Sequence, residues 1–312
     1  MASLDFEQHL DIPFADGLLL DLVRPAGGER LPAVIWLHGG AWRMQDRRAR
    51  PDLRDCFACA GYVSVSIDYR LTPHATHPAQ LLDVRAGLRY LRDHADDYGI
   101  DAGRIGLWGS SAGGHLAALA ALTGHIEQYV QGEPGGDTSV QAVVDGYGPA
   151  DLAGLNADSV AGQPEADLLG GALKSLPEAA SDASPARRAH SGAPPTCILH
   201  GADDELVDPA HSERLFQALR AVGAPALHYL VKGFGHGFLN PGQVHELGPD
   251  HPLDVGRLAA EPHAPAVVRA CGQEMRAFAA HHPHASFDTI RSFFDLTLKQ
   301  AGSARSERRT TA

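Results

Sequence analysis

Six short apolar runs, rich in branched side chains, recur along the chain and constrain its fold more than any other feature. They are AVIWLH (33–38), YVSVSIDY (62–69), RIGLWG (104–109), AVVDGYG (142–148), TCILHG (196–201) and ALHYLV (226–231). Longer helical patterns separate them. Between the second and third, PAQLLDVRAGLRYLRDHA (78–95) repeats Leu81, Val84, Leu88 and Leu91 at helical spacing, with charged residues on the opposite face. Strand and helix alternating in this way predict an α/β protein with a mostly parallel central sheet flanked by helices on both faces. Residues 10–24 read as antiparallel strands at one edge, turning at Ala15-Asp16-Gly17.

Two stretches break the rhythm. Residues 149–195, rich in Ala, Gly, Pro and Asp, read as a loop-and-helix excursion above the sheet edge, and 240–286, with six prolines, resists reading as a strand. Within the latter, Val267, Cys271, Met275 and Phe278 fall on one helical stripe, so a helix is expected over 265–280. A last helix is expected over 287–300, and residues 301–312 read as a frayed tail. The chain shows no internal repeat. The expected organisation is therefore one α/β domain over residues 1–300, with 149–195 and 240–286 as cap or insert segments.

Composition narrows the partners. Twenty-six basic against 38 acidic residues give a formal charge of −12 over 312 residues, which argues against nucleic acid or an anionic membrane surface as a partner. A neutral or weakly charged small molecule fits better. Cys56 and Cys59 form a C-x-x-C, but RDCFACAGY reads as the end of a helix before a glycine turn, so both are expected as packed side chains rather than a redox or metal pair. Few cysteines, an acidic N-terminal stretch and no run of membrane-spanning length point to a cytoplasmic protein.

Chemistry concentrates where RIGLWG ends. Gly109-Ser110-Ser111-Ala112-Gly113 matches G-x-S-x-G between a strand and an alanine-rich helix, the context that gives the pattern its meaning. Displaying one hydroxyl at the top of a sheet needs a sharp turn, and the positions two before and two after it press on neighbouring backbone, where only glycine fits. A serine hydroxyl needs a base to remove its proton, and an acid to orient that base. His236 lies in a glycine-rich loop after the last run, and Asp203, Asp204 and Asp208 follow TCILHG. Asp204 is favoured as the acid, with Asp208 reading as a helix cap. HGGAW (38–42) presents adjacent glycines after the first run, so Gly40 and Ala41, with Ala112 after the nucleophile, are the expected backbone donors to an oxyanion. His38 reads as a brace for that loop, and Trp42 as either a pocket wall that meets substrate or plain packing.

HGGAW, SIDYRLTP, GIDAGRIGLWGSSAGGHLA, DGYGPADL, LHGADDELV and GFGHGF together resemble the α/β-hydrolase esterases related to hormone-sensitive lipase. GSSAGGHLA is most similar to the bacterial feruloyl and acetyl-xylan esterase branch. The resemblance covers about two thirds of the chain. It implies carboxylester hydrolysis by a Ser111, Asp204, His236 triad, no cofactor, and a preference for small or aromatic acyl groups. Asp68 and Arg70 match the D-Y-R element, read as bracing near the active site. The segment 240–286 is longer than usual before the last helix, and could cover the pocket or supply a homodimer contact. Its HHPH (281–284) has no ligand spacing on a regular element, so no metal is expected. Two rivals remain: an amidase or peptidase of the aryl-formamidase or prolyl-oligopeptidase kind, and a non-catalytic ligand-binding homologue.

Overall fold

The computed structural model describes residues 5–158, 160, 162–240 and 253–300. Its strands are β1 (Phe6–Ala15), β2 (Leu18–Pro25), β3 (Leu31–Leu37), β4 (Val63–Ile67), β5 (Ile100–Ser110), β6 (Ala142–Gly146), β7 (Thr196–Gly201), β8 (Ala226–Val231), β9 (Ala264–Cys271) and β10 (His284–Ala285). They form one sheet in the order β1-β2-β4-β3-β5-β6-β7-β8-β9-β10. Strands β4, β3, β5, β6, β7 and β8 run parallel, and antiparallel strands close both margins. The helices are α1 (Leu53–Cys56), α2 (Ala79–Asp93), α3 (Ala112–Thr123), α4 (Pro164–Leu169), α5 (Pro177–Asp182), α6 (Ala210–Ala221), α7 (Arg257–Ala260), α8 (Gln273–His281) and α9 (Phe287–Phe294), the last passing into π-helical turns over Asp295–Gln300.

Side-chain alternation explains why the central strands are apolar throughout. In β3, Ala33, Ile35 and Leu37 join a core with Leu81, Leu88 and Leu116 from α2 and α3. Val34 and Trp36 point the other way, into a second core with Trp108, Phe293 and Phe294. A strand covered by helices on both faces has no solvent side on which to place a polar residue. The predicted α/β architecture, an α/β-hydrolase fold, is what forms. No helix among the described residues is long and apolar enough to cross a membrane.

Two expectations are corrected. Residues 264–271 form strand β9, antiparallel to β8 on one side and to the short β10 on the other, and only Gln273–His281 is helical. The helical stripe misled because Val267 is solvent-exposed in an alternating strand, whereas Met275 and Phe278 are buried on α8. Cys59 is exposed rather than packed, while Cys56 is half-buried and burial pushes its thiol up to about 12. Residues 301–312 and residues 241–252 of the 240–286 segment lie outside the described residues.

Candidate active site

Parallel strands deliver their following loops to one edge of the sheet, and every predicted site residue follows such a strand end. The loop after β3 carries Gly40 to Trp42, β5 ends at Ser110, β7 is followed by Asp204 and β8 by His236. At β5 the chain turns into α3 through Ser111, whose φ of 53° and ψ of −120° are strained for an L-residue. The Ser111 N–H donates to the Gly146 carbonyl at 2.7 Å, fixing the turn against β6. A Cβ on Gly113 would collide with the backbone carbonyls of Leu37 and His38, and one on Gly109 with the backbone of Gly113. Helix and strand can approach this closely only where both positions lack a side chain.

The structure brings Ser111, His236 and Asp204 together. His236 Nε2 lies 2.9 Å from Ser111 Oγ, and His236 Nδ1 lies 2.6 Å from Asp204 Oδ2. A carboxylate only accepts, so Nδ1 carries the ring proton and Nε2 accepts from the serine hydroxyl. Asp204 Oδ1 accepts from the N–H groups of Leu206 and Val207, each at 2.9 Å. Burial opposes ionisation of Asp204, but hydrogen bonds from His200 and His236 outweigh it and hold the carboxyl far below the usual carboxylate range. Tyr147 packs its ring 4.6 Å from that of His236. Asp203 and Asp208 stand outside this relay. Asp208 Oδ1 instead accepts from the Ala210 N–H at the start of α6.

The loop after β3 is held by the D-Y-R element. Asp68 accepts from the Arg47 backbone at 2.8 Å and its guanidinium at 3.0 Å. The Tyr69 hydroxyl donates to the His38 carbonyl at 2.8 Å, its ring stacked on the imidazole. Arg70 pairs with Asp83 of α2 at 2.7 Å. His38 itself is buried, pushed down to about 4 by desolvation, and its Nδ1 faces the Gly39 carbonyl at 2.7 Å. The ring therefore braces the loop as a neutral group. Ala41 and Trp42 take positive φ values of 53° and 59°.

Ser111, Ala112, Ala41, Trp42 and His236 line a common cavity of about 480 Å³. Met44, Pro149, Leu206 and Val207 add apolar wall, while Arg43, Asn156, Gln163 and Glu165 give it a polar side. Gly40 is not among the described residues lining it, and its carbonyl instead accepts from the N–H groups of Arg43 and Met44. Arg43 ties the polar side to the loop, reaching the Gly162 carbonyl at 2.6 Å and Asp167 of α4 at 2.8 Å. Among the described residues no cluster of His, Cys, Asp or Glu is arranged to hold a metal.

The BD-FAE family model matches residues 20–219, which run from β2 through α6 and include Ser111 and Asp204. The chain belongs to the BD-FAE family. Among curated relatives, the esterase LipQ of Mycobacterium tuberculosis is 36% identical over 71% of this chain and 55% of its own length. The esterase LipC of the same organism is 37% identical over 66% of this chain and 53% of its own. The chain thus spans about half the length of the curated relatives it matches. A truncated carbohydrate esterase from gut microbiota superposes with a TM-score of 0.67 at 29% identity, covering 74% of this chain and 89% of the other. The propionate-bound Est2 esterase of Thermogutta terrifontis shares the fold, with a TM-score of 0.62 at 24% identity over 76% of this chain and 86% of its own.

Three buried polar residues of this BD-FAE chain escaped sequence reasoning. His115 of α3 presents Nε2 to the Ala183 carbonyl at 2.7 Å and accepts the indole N–H of Trp42 on Nδ1 at 3.2 Å. Burial keeps it neutral, pushed down to about 3. Trp42 is therefore both cavity wall and anchored packing. Asp145, at the end of β6, accepts from the Gly148 N–H at 3.0 Å and has no partner for Oδ2 among the described residues. Burial pushes it up to about 7. His200 sits four residues before Asp204 within LHGADDELV, so its only sequence signal was proximity. Contacts such as Trp42 to His115 span 73 positions and leave no local pattern.

Proposed function

We propose that this chain is a serine carboxylic ester hydrolase acting through an acyl-enzyme on short-chain or aromatic acyl esters. The relay from Ser111 Oγ through His236 to Asp204 carries the reading, because it gives a weak nucleophile its base at 2.9 Å and holds that base in one tautomer at 2.6 Å. His236 Nε2 takes the hydroxyl proton as Ser111 Oγ attacks the ester carbonyl carbon. The carbonyl oxygen, now an oxyanion, turns toward the N–H groups of Ala112 and of the Gly40-Ala41 loop, each such donor being worth about 3 kcal/mol of barrier. His236 then gives the proton to the departing alkoxide. A water activated by the same imidazole hydrolyses the acyl-enzyme, and Asp204 supports the imidazolium in both halves. No cofactor enters these steps.

A cavity of about 480 Å³ with Trp42, Met44, Leu206 and Val207 on its wall suits a small or aromatic acyl group. The names of the relatives, esterases and a carbohydrate esterase, agree with ester rather than amide cleavage. Matched p-nitrophenyl propionate and p-nitroanilide substrates test the reading. The ester is expected to be turned over by the wild-type protein and lost by several orders of magnitude in Ser111→Ala, and a faster anilide would favour the amidase alternative. We further propose residues 1–300 as one domain and a cytoplasmic location. The latter rests on four cysteines that are all unpaired, and cell fractionation checks it.

A further inference from the structure

The carboxylate of Asp204 serves two histidines. His200, at the end of β7 and fully buried, places Nε2 3.2 Å from Asp204 Oδ2, the oxygen that His236 also contacts. The same Nε2 lies 2.9 Å from the Val207 carbonyl. Both neighbours are acceptors, so Nε2 must carry the proton. Nδ1 then accepts from the hydroxyl of Ser212 on α6, which is in direct contact with it. Ser212 thereby sets the tautomer that lets His200 donate.

We infer that His200 is a positioning residue for the reaction: its N–H shares Asp204 Oδ2 with His236, aims the carboxylate and limits how strongly it draws on the imidazolium. The inference rests on the hydrolase reading above. Oδ1 is already anchored by two backbone N–H groups, so Oδ2 is the free end of the carboxylate and the one that meets the base. The same N–H that meets the Val207 carbonyl faces that oxygen at 3.2 Å, and its partial positive charge there favours one direction of the carboxylate and spreads its charge. Removing the donor concentrates charge on Oδ2, which favours the protonated base. The base then stays protonated to higher pH and the acid limb of the rate profile moves up.

Other titratable groups face this cluster. Tyr147, beyond β6, packs its ring against His236 and 6.4 Å from His200. His211 of α6 and His228 of β8 lie within electrostatic reach of His200, and burial pushes both down to about 4, so both are neutral through the working range. Asp151 and Asp208 face His211 rather than Asp204.

Three variants, His200→Leu, His200→Gln and Ser212→Ala, test the inference by the pH profile of kcat and kcat/KM on p-nitrophenyl propionate. His200→Leu removes the donor and is expected to raise the acid limb by about half a unit to one unit and lower kcat about tenfold, with KM little changed. His200→Gln returns an N–H near the Nε2 position and is expected to track the wild type. A folded Leu variant with wild-type limb and kcat, or a Gln variant as impaired as Leu, overturns the inference. If His200→Leu does not fold, Ser212→Ala decides: the limb should move the same way by less, and an unchanged profile overturns it. The downfield NMR resonance of the His236 Nδ1 proton is recorded alongside, and must shift in the Leu or Ala variant. That signal needs no substrate. Wild-type protein that neither cleaves the ester nor reacts with a fluorophosphonate would remove the hydrolase reading, and the resonance alone would then judge the role of His200.

Discussion

Replacing Asp145 by Asn should stabilise the protein at alkaline pH and do little at acid pH. The carboxyl is 1% exposed at the end of β6, holds one hydrogen bond from Gly148, and leaves Oδ2 without a partner among the described residues. Burial raises it from 3.8 to about 7. In the unfolded chain it ionises near 3.8, so between pH 3.8 and 7 the native state binds the extra proton and stability falls as pH rises, the penalty being complete above 7. About three pH units at 1.36 kcal/mol each make that penalty about 4 kcal/mol, of which about 1 has accrued by pH 4.5. The carboxylate also stands beside Gly114 in the first turn of α3, where the helix dipole favours negative charge and offsets about 1 kcal/mol. The expected gain of Asp145→Asn over wild type therefore grows by about 2 kcal/mol between pH 4.5 and 8. Urea unfolding of both proteins at the two pH values reads it directly, and comparing variants cancels every other titrating group. A gap between the proteins that stays constant with pH would refute the reasoning.

Other expectations concern the loops around Ser111. Gly113→Ala places a methyl against the Leu37 and His38 carbonyls, so it should lower kcat at least about a hundredfold through displacement of the donor loop, measured as turnover of a folded variant. Trp42→Phe leaves His115 Nδ1 buried without its donor and should cost about 1 to 3 kcal/mol in chemical unfolding. Arg47→Met removes the guanidinium that pairs with Asp21 at 2.9 Å and Asp68 at 3.0 Å; Asp21 keeps Arg50 and Asp68 keeps two backbone N–H donors, so the change should cost about 1.5 to 3 kcal/mol by the same measurement.

The fold is most legible in the sequence where burial and backbone geometry leave few choices. The ends of β7 and β8 show in the sequence because apolar residues buried on both faces stop abruptly at Gly201 and before Lys232. Ser111, Asp204 and His236 could be named because each follows a strand end, and the topology carries all such ends to one edge. Residues 264–271 are misread because their alternation in exposure is not matched by alternation in hydropathy: Val267 faces solvent and Val268 the sheet, while four apolar residues fall at helical spacing. The polar side of the cavity was invisible. Arg43, Asn156, Gln163 and Glu165 sit in loops or at a helix start, where no periodicity marks which way a side chain turns. His200 is hidden for a related reason: a buried histidine in a strand reads as packing, and only the fold brings its two nitrogens to Asp204 and Ser212.

Covalent labelling of Ser111 tests the central claim most directly. Wild-type protein treated with a fluorophosphonate, followed by intact mass and peptide mapping, should gain one adduct per chain on the peptide holding residues 106–122, at Ser111 and not at its neighbour Ser110. The adduct should be absent from Ser111→Ala and form far more slowly in His236→Asn. No adduct on the wild-type protein, or labelling that persists unchanged in Ser111→Ala, would contradict the account.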